Sequence, residues 1–271
     1  MQKKTIGKIF KWIRILILVY IIIGIALFYL QEKLIFHPKK LDAGYVYKFP
    51  IPFQETNIDV SNEKVVGVVR FTVPDSIRKG VVLYFHGNRQ NIERYAPFAT
   101  NFTRNNYEVW MIDYPGYGKS TGPLTEAIMY SDGIELYKMA RALFSKDSII
   151  IYGKSLGCGV ATKVASLKEC KRVILETPYY SLDDVTSHFA PIYPVSLFSK
   201  YHFPVNEYIE RIDAPITILH GSSDGVILFS QSRHLQKIKP GIELVRIEKG
   251  SHNDLNDFPL FHRTIDSLLQ Q

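Results

Sequence analysis

The sequence predicts an α/β fold: a mostly parallel eight-stranded sheet with helices on both faces, joined to one N-terminal transmembrane helix. Three observations predict it. Apolar runs of strand length alternate with helical patterns from residue 64 to the end of the chain. Several of these runs are continuous Val/Ile/Leu stretches, as expected of strands covered on both faces. Ahead of them, residues 15–30 carry no charge, and with Trp12 and Ile13 they approach the roughly 17–25 apolar residues that span a bilayer. A chain of 271 residues, 46% hydrophobic and 22% charged, has room for one large domain plus such an appendage.

The N-terminal run reads as an uncleaved anchor. A core helix at the extreme N-terminus is rarely apolar on every face. A cleaved signal peptide wants a shorter run and a small-x-small site, which does not follow Ala26. Lipoprotein processing would need a cysteine at the end of the run. Lys3, Lys4, Lys8, Lys11 and Arg14 precede it, whereas Glu32 and Asp42 dilute Lys33, Lys39 and Lys40 after it. The positive-inside tendency then leaves the N-terminus cytoplasmic and the main domain on the non-cytoplasmic side of a single-pass protein. The expected organisation is a cytoplasmic segment 1–14, an anchor 15–31 and a catalytic domain 32–271.

Strands are expected at 64–73, Gly80–Phe85, 107–113, 148–152, Arg172–Glu176, 216–220 and 242–248, with helices at 125–144, 156–167, 230–237 and 258–269. Segment 181–208 breaks this rhythm. It is rich in proline and aromatic residues, including Phe189, Pro191, Tyr193, Pro194 and Phe198. Such an insertion in a regular frame predicts a short cap.

Gly153-Lys154-Ser155-Leu156-Gly157 lies between an expected strand and an expected helix. Gly-x-Ser-x-Gly alone is a weak pattern, and its placement at a strand-to-helix turn gives it weight. A serine there sits in strained backbone and needs small neighbours, which Gly153, Gly157 and Gly159 supply. A serine hydroxyl also needs a base, and the base an orienter. Asp224, in His220-Gly221-Ser222-Ser223-Asp224, and His252, in Gly250-Ser251-His252, each follow an expected strand. Ser155, Asp224 and His252 therefore fall at the same edge of a parallel sheet, in the order Ser, acid, His. The Leu156 amide and the Asn88 amide, the latter in His86-Gly87-Asn88-Arg89, are the candidate donors to an oxyanion.

These motifs resemble the α/β-hydrolase superfamily, and more narrowly the Bem46-like, ABHD13/ABHD17-type membrane-anchored serine hydrolases. The resemblance runs from Gln31-Glu32-Lys33-Leu34-Ile35-Phe36-His37-Pro38 through Phe85-His86-Gly87-Asn88 and Asp113-Tyr114-Pro115-Gly116-Tyr117-Gly118-Lys119-Ser120 to the Asp224 and His252 loops. It implies hydrolysis of an ester or thioester through an acyl-enzyme, with no cofactor. The aromatic insertion suggests an apolar acyl group, and a lipid-like ester from the membrane is an extension of that reading. Lys154 is a local departure, a cation inside the nucleophile turn that either shifts the leaving-group preference or does nothing.

Other readings stand beside these. Asp183 and Asp184 compete with Asp224 for the acid's place, and Asp254 and Asp257 are expected to cap the last helix. Asp113 is expected to cap the turn after its strand, and His86 to hold the oxyanion loop by hydrogen bonds. Gly118-Lys119-Ser120 and Gly153-Lys154-Ser155 lack the first glycine of a phosphate-binding loop. Asn101-Phe102-Thr103 matches a glycosylation acceptor. Cys158 and Cys170 read as unpaired small hydrophobes. No Cys/His cluster has ligand spacing, so no metal is expected. The net charge of +7 and pI near 9.2 come largely from the basic N-terminus and dispersed residues, and no nucleic-acid partner is expected. A non-catalytic membrane-tethered binding protein on the same fold, and an amidase or peptidase using the same three residues, are the alternatives.

Overall fold

The computed structural model describes residues 2–61 and 64–271. Met1 and the side chains of Lys3 and Lys4, part of the basic segment, lie outside that description. Helix α1 (Gln2–Ile35) is longer in both directions than the apolar run that predicts it. Lys8, Lys11 and Arg14 are good helix formers, and no proline interrupts the chain before Pro38. Within it, Ile6–Ile35 is the one stretch of the described residues long and apolar enough to cross a membrane.

The main sheet comprises β1 (Phe53–Ser61), β2 (Lys64–Phe71), β3 (Gly80–Phe85), β4 (Tyr107–Ile112), β5 (Ile149–Lys154), β6 (Arg172–Glu176), β7 (Ile216–Gly221) and β8 (Glu243–Ile247). Among the described residues these eight strands lie in the order β1-β2-β4-β3-β5-β6-β7-β8. From β4 onward every pairing is parallel, while β1/β2 and β2/β4 are antiparallel. Seven of the eight follow from apolar runs. The remaining one, β1, is an edge strand that pairs Phe53 with Phe71 and carries Gln54, Glu55 and Asn57, so its pattern is too polar to stand out.

Alternate residues along each strand feed two cores. Val81, Leu83 and Phe85 of β3 join Trp110, Ile149 and Ile151 under α2 (Glu126–Arg141), α3 (Gly157–Leu167) and α5 (Phe229–Ile238). Between α3 and α5 comes the cap, which opens with α4 (Leu182–Phe189) and continues through the short helices Val195–Phe198 and Val205–Ile209. On the other face Val82, Tyr84, Val109 and Tyr152 pack on Phe102 and on α6 (Pro259–Gln270) through Phe261 and Ile265. Each fully buried Val, Leu, Ile or Phe contributes about 1.5–3 kcal/mol. Burial on both faces is what fixes the register of the strands that carry the site.

Candidate active site

The strand-to-helix turn after β5 is tight because three glycines allow it. A Cβ on Gly157 would lie 2.0 Å from the Phe85 carbonyl oxygen, and one on Gly153 would lie 2.7 Å from the Cα of Cys158. The turn forces Ser155 to φ +51°, a left-handed conformation that costs a serine on the order of 1–3 kcal/mol. Its amide donates to the Glu176 carbonyl at 2.9 Å, which ties the turn to the end of β6. Cys158, next along, is buried and its thiol is pushed up by that burial, so it stays a packing group rather than a second nucleophile. Both Cys158 and Cys170 are free.

The loops after β7 and β8 bring Asp224 and His252 to the same place. His252 Nε2 lies 2.9 Å from Ser155 Oγ, and His252 Nδ1 lies 2.8 Å from Asp224 Oδ2. Read by partner chemistry, Nδ1–H donates to the carboxylate and Nε2 accepts from the hydroxyl. Asp224 Oδ1 accepts from the amides of Val226 and Ile227, both at 2.8 Å. Buried His220 completes its surroundings: Nε2 lies 2.9 Å from the Ile227 carbonyl and 3.3 Å from Asp224 Oδ2, while Nδ1 meets Ser232 Oγ at 2.6 Å.

Burial alone would raise the Asp224 carboxyl. The hydrogen bonds from His220, His252 and the Ile227 amide outweigh it and hold Asp224 well below the usual carboxylate range. A carboxylate depressed on folding contributes stability above its unfolded value of about 3.9, and that contribution drains away as pH falls through the folded value. The melting-temperature gap between the wild type and Asp224→Asn is therefore expected to stay constant above about pH 5 and to close below about pH 4. Thermal unfolding of the two proteins in detergent across that range checks it, and a gap that widens in acid would contradict the assignment.

Asp183 and Asp184 are committed elsewhere. Asp183 Oδ2 meets His202 Nδ1 at 2.7 Å, and Asp184 Oδ2 accepts from Gln231. Asp254 does not cap the last helix. Its carboxylate takes the amide and hydroxyl of Ser251, each at 2.7 Å, and so closes the loop that carries His252. Phe258 stands at the N-cap of α6, and no side chain there makes a cap hydrogen bond.

The loop after β3, which carries Asn88, is held from beneath. Tyr114 and Tyr117, both buried, donate to the carbonyls of His86 and Asn88 at 2.8 Å each. The Gly87 carbonyl turns to His86 Nδ1, so the Asn88 amide of the same trans peptide points away from that ring, and among the described residues neither it nor the Leu156 amide has a backbone acceptor. The Asn88 side chain donates to the Ile35 carbonyl at 2.7 Å, so the loop is also tied to the end of α1. His86 stacks on Tyr95 at 5.0 Å and its Nδ1 lies 2.7 Å from the Gly87 carbonyl. Asp113 acts further away than the turn it was expected to cap. Its Oδ1 accepts the Ile92 amide at 2.9 Å and lies 3.3 Å from His86 Nε2, and the whole carboxylate is buried. Burial pushes its carboxyl up.

Ser155 opens into a cleft of about 320 Å³. One wall is apolar, with Leu34 and Ile35 from α1, Leu182, Val185 and Phe189 from the cap, and Val226. Arg89 and Arg94 also border it, and among the described residues no Asp or Glu lines the cleft. Lys154 borders it too, but its ammonium is bound by the buried Glu176 carboxylate, whose second oxygen takes the Tyr152 hydroxyl. Asn101 is buried and donates to Asn256 Oδ1 at 2.6 Å, which removes it as a glycosylation acceptor.

Residues 76–202 match the serine aminopeptidase S33 family (Hydrolase_4). The chain is 31% identical over 178 residues to α/β hydrolase domain-containing protein 17C of Xenopus tropicalis, a match covering 64% of this chain and 56% of that protein. The Homo sapiens protein of the same name is 30% identical over 178 residues, 64% of this chain and 53% of that one. The matched region thus spans about half the length of these relatives. Among solved structures, an esterase of Pyrococcus furiosus superposes with a TM-score of 0.68 at 19% identity, covering 87% of this chain and 97% of that one. A soluble variant of monoglyceride lipase from Saccharomyces cerevisiae gives 0.63 at 17% identity, covering 84% and 98%. The sheet order, the turn after β5 and the structural matches give the chain the α/β-hydrolase fold, and in sequence it is similar to α/β hydrolase domain-containing protein 17C.

Proposed function

We propose that this protein is a serine hydrolase that cleaves carboxylic ester or thioester bonds of apolar acyl substrates, with α1 as its membrane anchor. The observation that carries the reading is the unbroken chain Ser155 Oγ, His252, Asp224 at the floor of a cleft with one apolar wall. In this reading Ser155 Oγ attacks the acyl carbonyl carbon while His252 Nε2 takes its proton. Asp224 holds the Nδ1–H tautomer and stabilises the imidazolium. The tetrahedral oxyanion accepts the Leu156 and Asn88 amides. Collapse breaks the bond to the alcohol or thiol, which leaves with the proton from Nε2. A water deprotonated by the same nitrogen then attacks the acyl-enzyme and releases the acid.

The matched family's description names aminopeptidases, which act beside a free α-ammonium group. A cleft that binds such a group needs a carboxylate. Among the described residues this one has none, and it offers Arg89 and Arg94 instead. That charge pattern favours esters and thioesters over peptides with a free N-terminus. The basic residues before residue 15 orient α1 with its N-terminus in the cytoplasm, which leaves residues 32–271 as a catalytic domain on the non-cytoplasmic face.

The test uses the full chain in detergent, a fluorophosphonate probe, and p-nitrophenyl esters from acetate to palmitate. Labelling of one serine, with a rate that rises with acyl length until the cleft is filled, is expected. A folded protein that neither labels nor turns over any ester would sink the reading.

A further inference from the structure

α1 does not stand clear of the domain. Its middle turns lie against the cap: the Tyr20 ring stacks on Tyr193 at 4.6 Å, Tyr20 Oη donates to the Ile192 carbonyl at 2.9 Å, and Tyr193 Oη donates to the Tyr20 carbonyl at 3.1 Å. Nearer the domain, the Lys200 amide donates to Gln31 Oε1 at 2.7 Å. At a rise of 1.5 Å per residue, Tyr20 lies about 22 Å back along the helix from Ile35. Lys8, Lys11 and Arg14 resist entering hydrocarbon, so the membrane-crossing part of α1 must begin near residue 15. The turns that touch the cap are then within the span, and tilting the helix lessens the depth without removing the contact.

The cap is made for that position. No charged residue lies between His188 and Lys200. Phe189, Ile192, Leu197 and Phe198 are 65%, 70%, 77% and 57% exposed, a concentration of large apolar groups that water disfavours. Much of the backbone is also satisfied within the cap. Ala190, Tyr193, Val195, Leu197 and Ser199 donate their amides to carbonyls within the cap, and Pro191 and Pro194 have no N–H. Irregular backbone survives at membrane depth only when its polar groups are satisfied in this way.

We propose that segment 189–198 is a second membrane element, seated among lipid acyl chains beside α1, and that the cleft opens sideways into the bilayer. Phe189 belongs both to the exposed cap surface and to the cleft wall, and Leu34 and Ile35 carry that wall onto α1. An acyl chain therefore passes from lipid to Ser155 along one continuous apolar surface. This inference rests on reading α1 as a span and the cleft as the acyl site.

The test places the full chain in phosphatidylcholine vesicles, with Leu197→Trp and Ile192→Trp compared against a water-facing control, Leu143→Trp, since Leu143 is 59% exposed and outside the cap. Lipids brominated on their acyl chains are expected to quench the two cap tryptophans at least about twofold more than the control. Equal quenching at the three positions would overturn the seating of the cap. In parallel, Ile192→Glu/Leu197→Glu is expected to hydrolyse a long-chain ester carried in vesicles about tenfold or more slower, with p-nitrophenyl acetate turnover within about twofold of wild type. Unchanged rates on both substrates would overturn the sideways route. A wild type inactive on both esters would indict the hydrolase reading instead, with the quenching comparison still deciding where the cap sits.

Discussion

Ser155→Ala is expected to lower turnover of p-nitrophenyl butyrate by about a millionfold, His252→Ala by about the same, and the double variant by no more than either alone. The expectation comes from the geometry. Ser155 Oγ and His252 Nε2 are 2.9 Å apart, so each is useless for attack without the other. Losses that act on one step do not multiply. Asp224→Asn is expected to cost about ten-thousandfold, because the amide leaves the ring in place and favours the wrong tautomer. In each variant the amides of Leu156 and Asn88 remain to bind an oxyanion, so a residual rate above water is expected. Steady-state kinetics on purified variants, with circular dichroism to establish folding, measure all four. Single losses that multiply in the double variant would mean that Ser155 and His252 do not act as a unit.

The candidate site was more legible than its supports. Ser155, Asp224 and His252 could be named because each follows a strand of strongly apolar pattern, and a parallel sheet brings such loops to one edge. Asp224, preferred to Asp183 and Asp184 from its place after the strand 216–220, lies 2.8 Å from His252 Nδ1, whereas Asp183 meets His202. His220 was invisible as a partner of Asp224. Its position at a strand end is ordinary, and its approach to the carboxylate depends on how the loop after β7 folds back. Tyr114 and Tyr117 stood in a motif read for resemblance, but their grip on the His86 and Asn88 carbonyls spans 28 and 29 residues of chain and no periodicity reports it.

The fold shows the same division. Strands β3 to β7 are buried on the scale of whole segments, so composition alone reveals them. Strand β1 mixes half-buried and exposed positions at an edge and goes unnoticed. The cap announced itself by prolines and aromatics. Its three short helices and its contact with α1 did not, because the residues that make the contact, Tyr20 and Tyr193, are 173 positions apart.

Glu176→Ala is expected to destabilise the protein by about 3–5 kcal/mol, the second large effect. Parallel register sets Lys154 of β5 beside Glu176 of β6, with their side chains 5% and 0% exposed. Removing the carboxylate strands an ammonium in the interior and orphans the Tyr152 hydroxyl as well. The Coulomb attraction of the pair is not the reason for the size of the loss, since two buried charges also forfeit their hydration and the net value of a buried pair is small. It is the unpaired ion that costs. Replacing all three groups by apolar neighbours, as Tyr152→Phe/Lys154→Met/Glu176→Leu, is therefore expected to recover most of the loss. Urea midpoints of the full chain in detergent distinguish the cases. A triple variant as unstable as Glu176→Ala would mean that the carboxylate stabilises the fold through its pairing. The Glu176 carbonyl, which holds the Ser155 amide at 2.9 Å, remains in every variant, so fluorophosphonate labelling of the triple variant at near wild-type rate is expected to accompany the recovered stability. A stable triple variant that no longer labels would mean that the buried ion pair also holds the strained φ of Ser155 in place.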